Sequence, residues 1–393
     1  MVPSFILQIW LLGLSSVGLI TGAGFLAREW SVRSWIWDEG LSRSVFSPNF
    51  GANPATWMLA AAVFLAVVAL TGAQILKGIL LLTGSPGEPV IVPKPASERL
   101  LPRPDGSILR VRFYGSETGI PIVCTHGWGL NSNEWNYLIP KLEEGFQIVT
   151  WDLPGLGKST RPSDRNFSLN RLAENLKAVL SLTQDRPSIL LGHSIGGMIT
   201  LTFCRLFPES LGSTVTGLVL THTTPTNPVR TTSGAAFLTA IEKPVLAPLM
   251  YLTIALSPLV RVMNWLSYLN GSAHLSNRIS SFGGSPPWSK VEFATHFQPL
   301  APPAVLARGM LAMMKYDARE ILARISVPTL VVSGDRDTTT KPEASGEIHA
   351  GIADANLLNL SPAKHLGLIE HDQEYAEAIR AHTLEISVHS PGI

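Results

Sequence analysis

Phe5 to Phe25 reads FILQIWLLGLSSVGLITGAGF, and Ala55 to Leu76 reads ATWMLAAAVFLAVVALTGAQIL, both without a charged side chain. About 20 apolar residues suffice to cross a bilayer core as a helix. In hydrocarbon every backbone N–H and C=O needs an internal partner, which restricts such runs to helices. Two spans make a hairpin, so residues 1–83 are expected to form two N-terminal membrane-spanning helices and their connecting loop. The N-terminus and everything after Thr83 would then share one side. A cleaved signal peptide followed by one span, or a pair of buried core helices, are the competing readings. Against the signal peptide, the first run lacks a basic n-region and its apolar part is long. Arg28, Arg33 and Arg43 lie between the runs, and Lys77 and Lys94 follow the second. That bias weighs toward an extracytoplasmic large domain. The expected location is a cell membrane, such as a bacterial inner membrane, with membrane lipid as a partner.

The runs account for a composition that is 46% hydrophobic and only 15% charged, where about 25% charged is ordinary. The formal net charge of +1 gives no electrostatic footprint for nucleic acid. Two cysteines exclude a disulfide-dense scaffold and a cysteine metal cluster. Cys124 sits in a strand-like run and Cys204 in a helix-like one, and both read as small core residues.

Residues 84–98 are proline-rich and read as a semi-extended linker. Beyond them, ILRVRFYG (108–115) alternates as an antiparallel strand would. IPIVCTHG, FQIVTWD, PSILLGHS, GLVLTHT, PTLVVSGD and NLLNL are apolar runs suited to strands buried on both faces. Helix-like segments separate them, including 168–183 and 366–387. This alternation argues for an α/β domain with a mostly parallel central sheet, built from residues 99–224 and 317–393. The interval 225–316 carries no clear strand. Its proline breaks and apolar helical content suggest an inserted helical cap or lid.

Gly192-His193-Ser194-Ile195-Gly196 matches G-x-S-x-G, directly after the strand-like SILL and before the helix-like MITLTFCRLF. That context turns the motif into a nucleophile elbow. The turn exposes the Ser194 hydroxyl at the carboxyl edge of the sheet, and Gly192 and Gly196 leave room for it. The Ile195 N–H falls at a helix N-terminus, where negative charge is favoured.

With that elbow the chain resembles the α/β-hydrolase fold superfamily, and further motifs carry the likeness from about residue 100 to 387. His126-Gly127-Trp128-Gly129 resembles the family's H-G-x oxyanion turn, which implies the Trp128 N–H as second oxyanion donor beside Ile195. Asp152 to Ser159, DLPGLGKS, is similar to the D-x-P-G-x-G-x-S loop, read as structural support with Asp152 tying down the turn. Gly157-Lys158-Ser159 mimics the end of a P-loop, but Asp152 stands where that motif needs glycine, so no nucleotide is expected. PTLVVSG followed by Asp335-Arg336-Asp337 resembles the strand that carries the family's acid, which implies Asp337, with Asp335 as near competitor. An acid after the preceding strand is closed off, because residues 217–241 contain no Asp or Glu. SPAKHL similarly implies His365 as the base, with Lys364 where most members have glycine. His371, His382 and His389 read as structural or surface residues, and His126 and His193 as parts of turns.

The resemblance implies a serine hydrolase with catalytic residues Ser194, Asp337 and His365, needing no cofactor or metal. It would cleave a small hydrophobic or lipid-like carboxylic ester through an acyl-enzyme, as a carboxylesterase or lipase does. A C–C bond hydrolase, a thioesterase or amidase, a haloperoxidase-like activity, and a catalytically silent binding protein of the same fold remain open. Activity is expected to fall as His365 protonates, near a reference value of about 6.5.

Overall fold

The computed structural model describes residues 2–47 and 55–389, the side chains of residues 388 and 389 excepted; the side chain of His389 thus lies outside the described residues. The first apolar run is a helix, α1 (Phe5–Arg33), and the second is α2 (Thr56–Leu81). Both outlast the uncharged runs, because Arg28, Glu29 and Lys77 are good helix formers that nothing obliges to stop. Between them, in the segment expected as a connecting loop, β1 (Trp35–Asp38) and β2 (Arg43–Phe46) pair antiparallel as a hairpin.

The α/β alternation folds into one eight-stranded sheet. Its strands are β3 (Ser97–Pro102), β4 (Ile108–Gly115), β5 (Ile120–Thr125), β6 (Phe146–Trp151), β7 (Ser188–His193), β8 (Val215–Thr221), β9 (Thr329–Gly334) and β10 (Ala355–Leu360). They lie in the order β10-β9-β8-β7-β5-β6-β4-β3. Pairing is parallel from β6 across to β10, while β4 and β3 add antiparallel at one edge. Successive strand residues enter opposite cores, as the two-residue period requires. Leu190, Leu218 and Val331 face a cluster with Leu172, Ile199 and Ile348. Ile189, Leu191, Val219 and Val332 face another with Ile139 and Ile379. The helices supplying these layers are α3 (Ile139–Leu142), α4 (Leu169–Leu180), α5 (Ile195–Leu206), and, after the insertion described next, α12 (Pro342–Gly351), α13 (Gly367–Glu370) and α14 (Asp372–His389). Cys124 and Cys204 are buried and unpaired, and burial pushes the Cys204 thiol up to about 12.

Two expectations change. The apolar run NLLNL is not buried on both faces: β10 is the sheet's outermost strand, and Leu357 stands exposed at 41%. Polar Asn356 and Asn359 already interrupt it. The linker becomes strand earlier than expected, since Ser97 and Glu98 pair with Phe113 and Arg112.

Between β8 and β9 the chain is helical. It runs through α6 (Ala235–Ile241), a π turn at Glu242–Leu246, α7 (Ala247–Ala255), α8 (Ser257–Leu269), α9 (Ser272–Ser281), α10 (Trp288–Leu300) and α11 (Pro303–Met313). Pro244 does not break the path from α6 to α7, because it lies in the wider π turn, the usual way a helix absorbs a disruption. As a result three helices among the described residues, not two, are long and apolar enough to cross a membrane: Phe5–Arg33, Thr56–Leu81 and Ala235–Ala255.

The N-terminal hairpin packs on this insertion. Trp10 Nε1 donates to Thr253 Oγ1 at 2.8 Å, and Asn270 Nδ2 donates to Ser16 Oγ at 2.8 Å. A Cβ on Gly72 would fall 2.3 Å from the Asn270 carbonyl oxygen, so glycine permits this approach of α2. On α1 the buried residues Ile6, Ile9, Gly13 and Ser16 follow one helical face. Ile6 and Ile9 belong to the same core cluster as Trp128 and Val305. The start of α1 is therefore buried in the core that the insertion shares with the α/β domain.

Candidate active site

Ser194 occupies the turn between β7 and α5 with φ +56° and ψ −117°. This is a strained conformation for a non-glycine residue, held by its surroundings. The Ser194 N–H donates to Thr221 O at 2.9 Å, and Thr223 Oγ1 donates to Ser194 O at 2.7 Å. Close packing closes the turn. A Cβ on Gly196 would meet the Thr125 carbonyl oxygen at 2.1 Å, and one on Gly192 would meet the Gly196 backbone at 2.5 Å.

Three side chains from three loops converge at the carboxyl edge of the sheet. Ser194 Oγ lies 3.0 Å from His365 Nε2, and His365 Nδ1 lies 2.9 Å from Asp337 Oδ2. Asp337 follows β9 and His365 follows β10. The carboxylate also accepts the Thr339 and Thr340 N–H groups on Oδ1 and the Thr340 hydroxyl on Oδ2. Burial opposes its charge, but His365 and His222 outweigh burial and hold Asp337 well below the usual carboxylate range. For His365 burial dominates over the adjacent Asp337, and its imidazole is pushed down to about 4.

Ile195 is the first residue of α5 and fully buried. The Gly197 and Met198 N–H groups donate to Ser194 O, whereas an N–H as early in a helix as that of Ile195 has no intrahelical acceptor. Trp128 is buried with its indole donating to Leu306 O at 3.0 Å, and it borders a small cavity together with His365. The Gly127 N–H donates to Glu134 Oε2 at 2.8 Å. His126 Nδ1 donates to Gly127 O, and its Nε2 accepts the Leu153 N–H at 2.9 Å. Asp152 accepts from Ser132 N–H and Oγ and from the Lys158 N–H, which closes the glycine loop on itself. Asp335 accepts the Ala363 N–H and the Ser361 hydroxyl and does not reach His365.

Two buried groups escaped the sequence reading. His222, just beyond β8, lies with Nδ1 2.9 Å from Asp337 Oδ2, and its Nε2 accepts the Tyr375 hydroxyl. The signal was available: it stands after the strand where some relatives carry their acid. Glu134 pairs with His193 Nδ1, and His193 Nε2 donates to His365 O at 3.0 Å. Glu134 therefore braces both the Gly127 turn and the His365 loop. No local motif marks it.

The donor atoms of His222, Asp337 and His365 lie within 4.8 Å of one another. Both imidazoles already direct a protonated Nδ1 at the same carboxylate oxygen, so a metal would have to displace both hydrogen bonds. The arrangement is that of a hydrogen-bonded relay.

A family model described as alpha/beta hydrolase fold matches residues 120–239. The pimeloyl-[acyl-carrier protein] methyl ester esterase of Aeromonas hydrophila subsp. hydrophila is 25% identical over 268 residues, covering 66% of this chain and 94% of that protein. A serine hydrolase-like protein of Danio rerio is 35% identical over 121 residues, which cover 30% of this chain and only 37% of the relative. Among solved structures, an esterase from Exiguobacterium antarcticum superposes with TM-score 0.59 at 22% identity, covering 73% of this chain and 99% of that one. A hydrolase from Pseudomonas aeruginosa PA01 gives 0.57 at 24% identity, covering 73% and 98%.

Proposed function

We propose that this chain, a member of the α/β-hydrolase fold superfamily with esterases among its relatives, is a membrane-anchored serine esterase acting on a hydrophobic or lipid-like carboxylic ester. The observation that carries the reading is the continuous relay Ser194 Oγ, His365 Nε2, His365 Nδ1 and Asp337 Oδ2, with contacts of 3.0 and 2.9 Å.

His365 takes the Ser194 proton as the hydroxyl oxygen attacks the ester carbonyl. Asp337 fixes the tautomer that leaves Nε2 free to accept, and it stabilises the imidazolium that forms. The carbonyl oxygen becomes an oxyanion held by the Trp128 and Ile195 N–H groups, an effect worth about 3–4 kcal/mol per donor where measured in another serine hydrolase. Collapse expels the alcohol with the proton from His365 and leaves an acyl-enzyme. Water, deprotonated by the same imidazole, adds to the acyl carbonyl, and breakdown of that second adduct returns the proton to Ser194 and frees the acid.

The membrane part of the reading rests on α1 and α2. Against the roughly 30 Å of a bilayer core, α2 is uncharged for residues 56–76, about 32 Å at 1.5 Å per residue, and beyond Ser16 α1 is uncharged for residues 17–27, about 16 Å. At its far end stand Arg28 and Arg33 and the exposed Trp35, Trp37 and Phe46, residue types that favour a membrane–water interface. By the positive-inside bias, the loop arginines favour the cytoplasm for that end and the other side for the catalytic domain.

Labelling of the full-length protein by a fluorophosphonate probe tests the core of this proposal. Labelling and ester hydrolysis are both expected to vanish in Ser194→Ala. Folded wild-type protein that takes no label would refute it.

A further inference from the structure

We infer that the first turns of α1 are a wall of the substrate pocket, and that Phe5 and Gln8 set which acyl chains reach Ser194. The inference rests on the esterase reading above and deepens it: the substrate class is an ester of an unbranched hydrocarbon acid presented from the bilayer.

The cavity beside His365 measures only about 50 Å³, and Trp128, Phe297 and Leu366 border it together with Phe5 and Gln8. Pockets that hold organic ligands are usually about 300–1,000 Å³. A larger groove of about 670 Å³ exists near Arg165, Arg205 and Tyr316, but it touches none of Ser194, Asp337 and His365. The reacting atoms, not the volume, decide where substrate must go, and the space there is reduced by the N-terminal helix.

The helix is fixed on one face and adjustable on the other. Ile6 and Ile9 are fully buried in the core cluster, which anchors the turn. Phe5 and Gln8, three residues apart and so neighbours on the helix surface, are half-buried at the cavity. Gln8 Nε2 donates to Ser276 Oγ at 2.6 Å, tying this face to α9. A turn farther on, Leu11 and Leu14 are exposed at 70% and 59%, and the helix continues as an apolar rod. Exposed Tyr251, Leu252, Leu259 and Val262 on α7 and α8 extend the same apolar surface. An acyl chain lying along α1 would keep apolar contact from the bilayer to His365, with Phe5 as the last side chain it passes.

The experiment measures kcat/KM for p-nitrophenyl esters from acetyl to dodecanoyl, using the full chain in lipid nanodiscs. Phe5→Ala is expected to raise the ratio of long-chain to short-chain kcat/KM by about tenfold or more, the scale on which one methylene is discriminated in an apolar pocket. Phe5→Trp is expected to lower it. Leu357→Ala, exposed on the outermost strand β10 and outside this path, is expected to leave the ratio unchanged. Gln8→Met gives a second, milder change at the wall should either Phe5 variant fold poorly. Superimposable chain-length profiles in variants whose Ser194 still takes the fluorophosphonate label would overturn the inference. Absence of label in the wild type would instead overturn the esterase reading, so the two failures are distinct.

Discussion

His222 directs Nδ1 at the same Asp337 Oδ2 that His365 contacts, each at 2.9 Å. The two imidazoles are used alike. Each donates through Nδ1 to the shared carboxylate, and each accepts a hydroxyl on Nε2, from Tyr375 in one case and Ser194 in the other. Asp337 is thereby oriented from both sides, and its charge is shared by two imidazoles as well as by the Thr339 and Thr340 donors.

Replacing His222 by phenylalanine removes one of those donors and leaves the Tyr375 hydroxyl without its acceptor. A hydrogen bond to a charged group contributes about 1.5–3 kcal/mol, so thermal or denaturant unfolding should report a loss of that size. The catalytic signature is separate. With less of its charge neutralised, Asp337 favours imidazolium at His365 more strongly, and the acid limb of kcat/KM should move to higher pH. An unmoved limb in a variant that folds would show that His222 supports structure only.

The wild-type pH profile is expected to depart from the simple value read off the sequence. Burial pushes His365 down to about 4, below the roughly 6.5 of a free imidazole. The acid limb of kcat/KM should therefore lie below pH 6.5, with activity retained at pH 6. His126 and His222 are lowered by burial in the same sense. The unfolded chain binds more protons than the folded one in this window, so stability is fully present above about pH 6.5 and declines as the pH falls through it. A limb centred at 6.5 or above would contradict the burial-dominated environment.

Glu134 is completely buried between the Gly127 N–H and His193. Burial opposes its charge, and His193 with the Gly127 N–H reverses that, leaving the carboxyl below its ordinary value. Glu134→Ala should cost about 3–5 kcal/mol, as expected when one partner of a buried pair is removed. It should also lower kcat, since the His365 loop loses its brace through His193. Chemical denaturation and steady-state kinetics on the same sample would check both. A variant within 1 kcal/mol of wild type would mean the pair contributes little.

Docking of α2 on the insertion can be tested by two glycines of one helix. Gly72→Val forces side-chain atoms into the Asn270 backbone, whereas the space around Gly78 is open. Overpacking of this kind typically costs about 1–3 kcal/mol. The melting temperature of detergent-solubilised protein should fall for Gly72→Val and stay put for Gly78→Val. Equal behaviour would place the hairpin free of the insertion.

Local chemistry made much of this molecule readable. The strand runs, the G-x-S-x-G turn before α5, and the long uncharged helices are encoded by side-chain period, glycine placement and the absence of charge, all properties of neighbouring residues. The order of Ser194, Asp337 and His365 along the chain followed from likeness to a family, and the convergence of their side chains is a matter of sheet topology. Tertiary structure alone brought His222 and Glu134 into the site and carried the start of α1 to the pocket beside His365. Each of those contacts joins residues far apart in the chain. A buried polar group or a helix face advertises no partner in its own segment. The partner is chosen when folding removes water and an unpaired donor, acceptor or apolar surface would be costly.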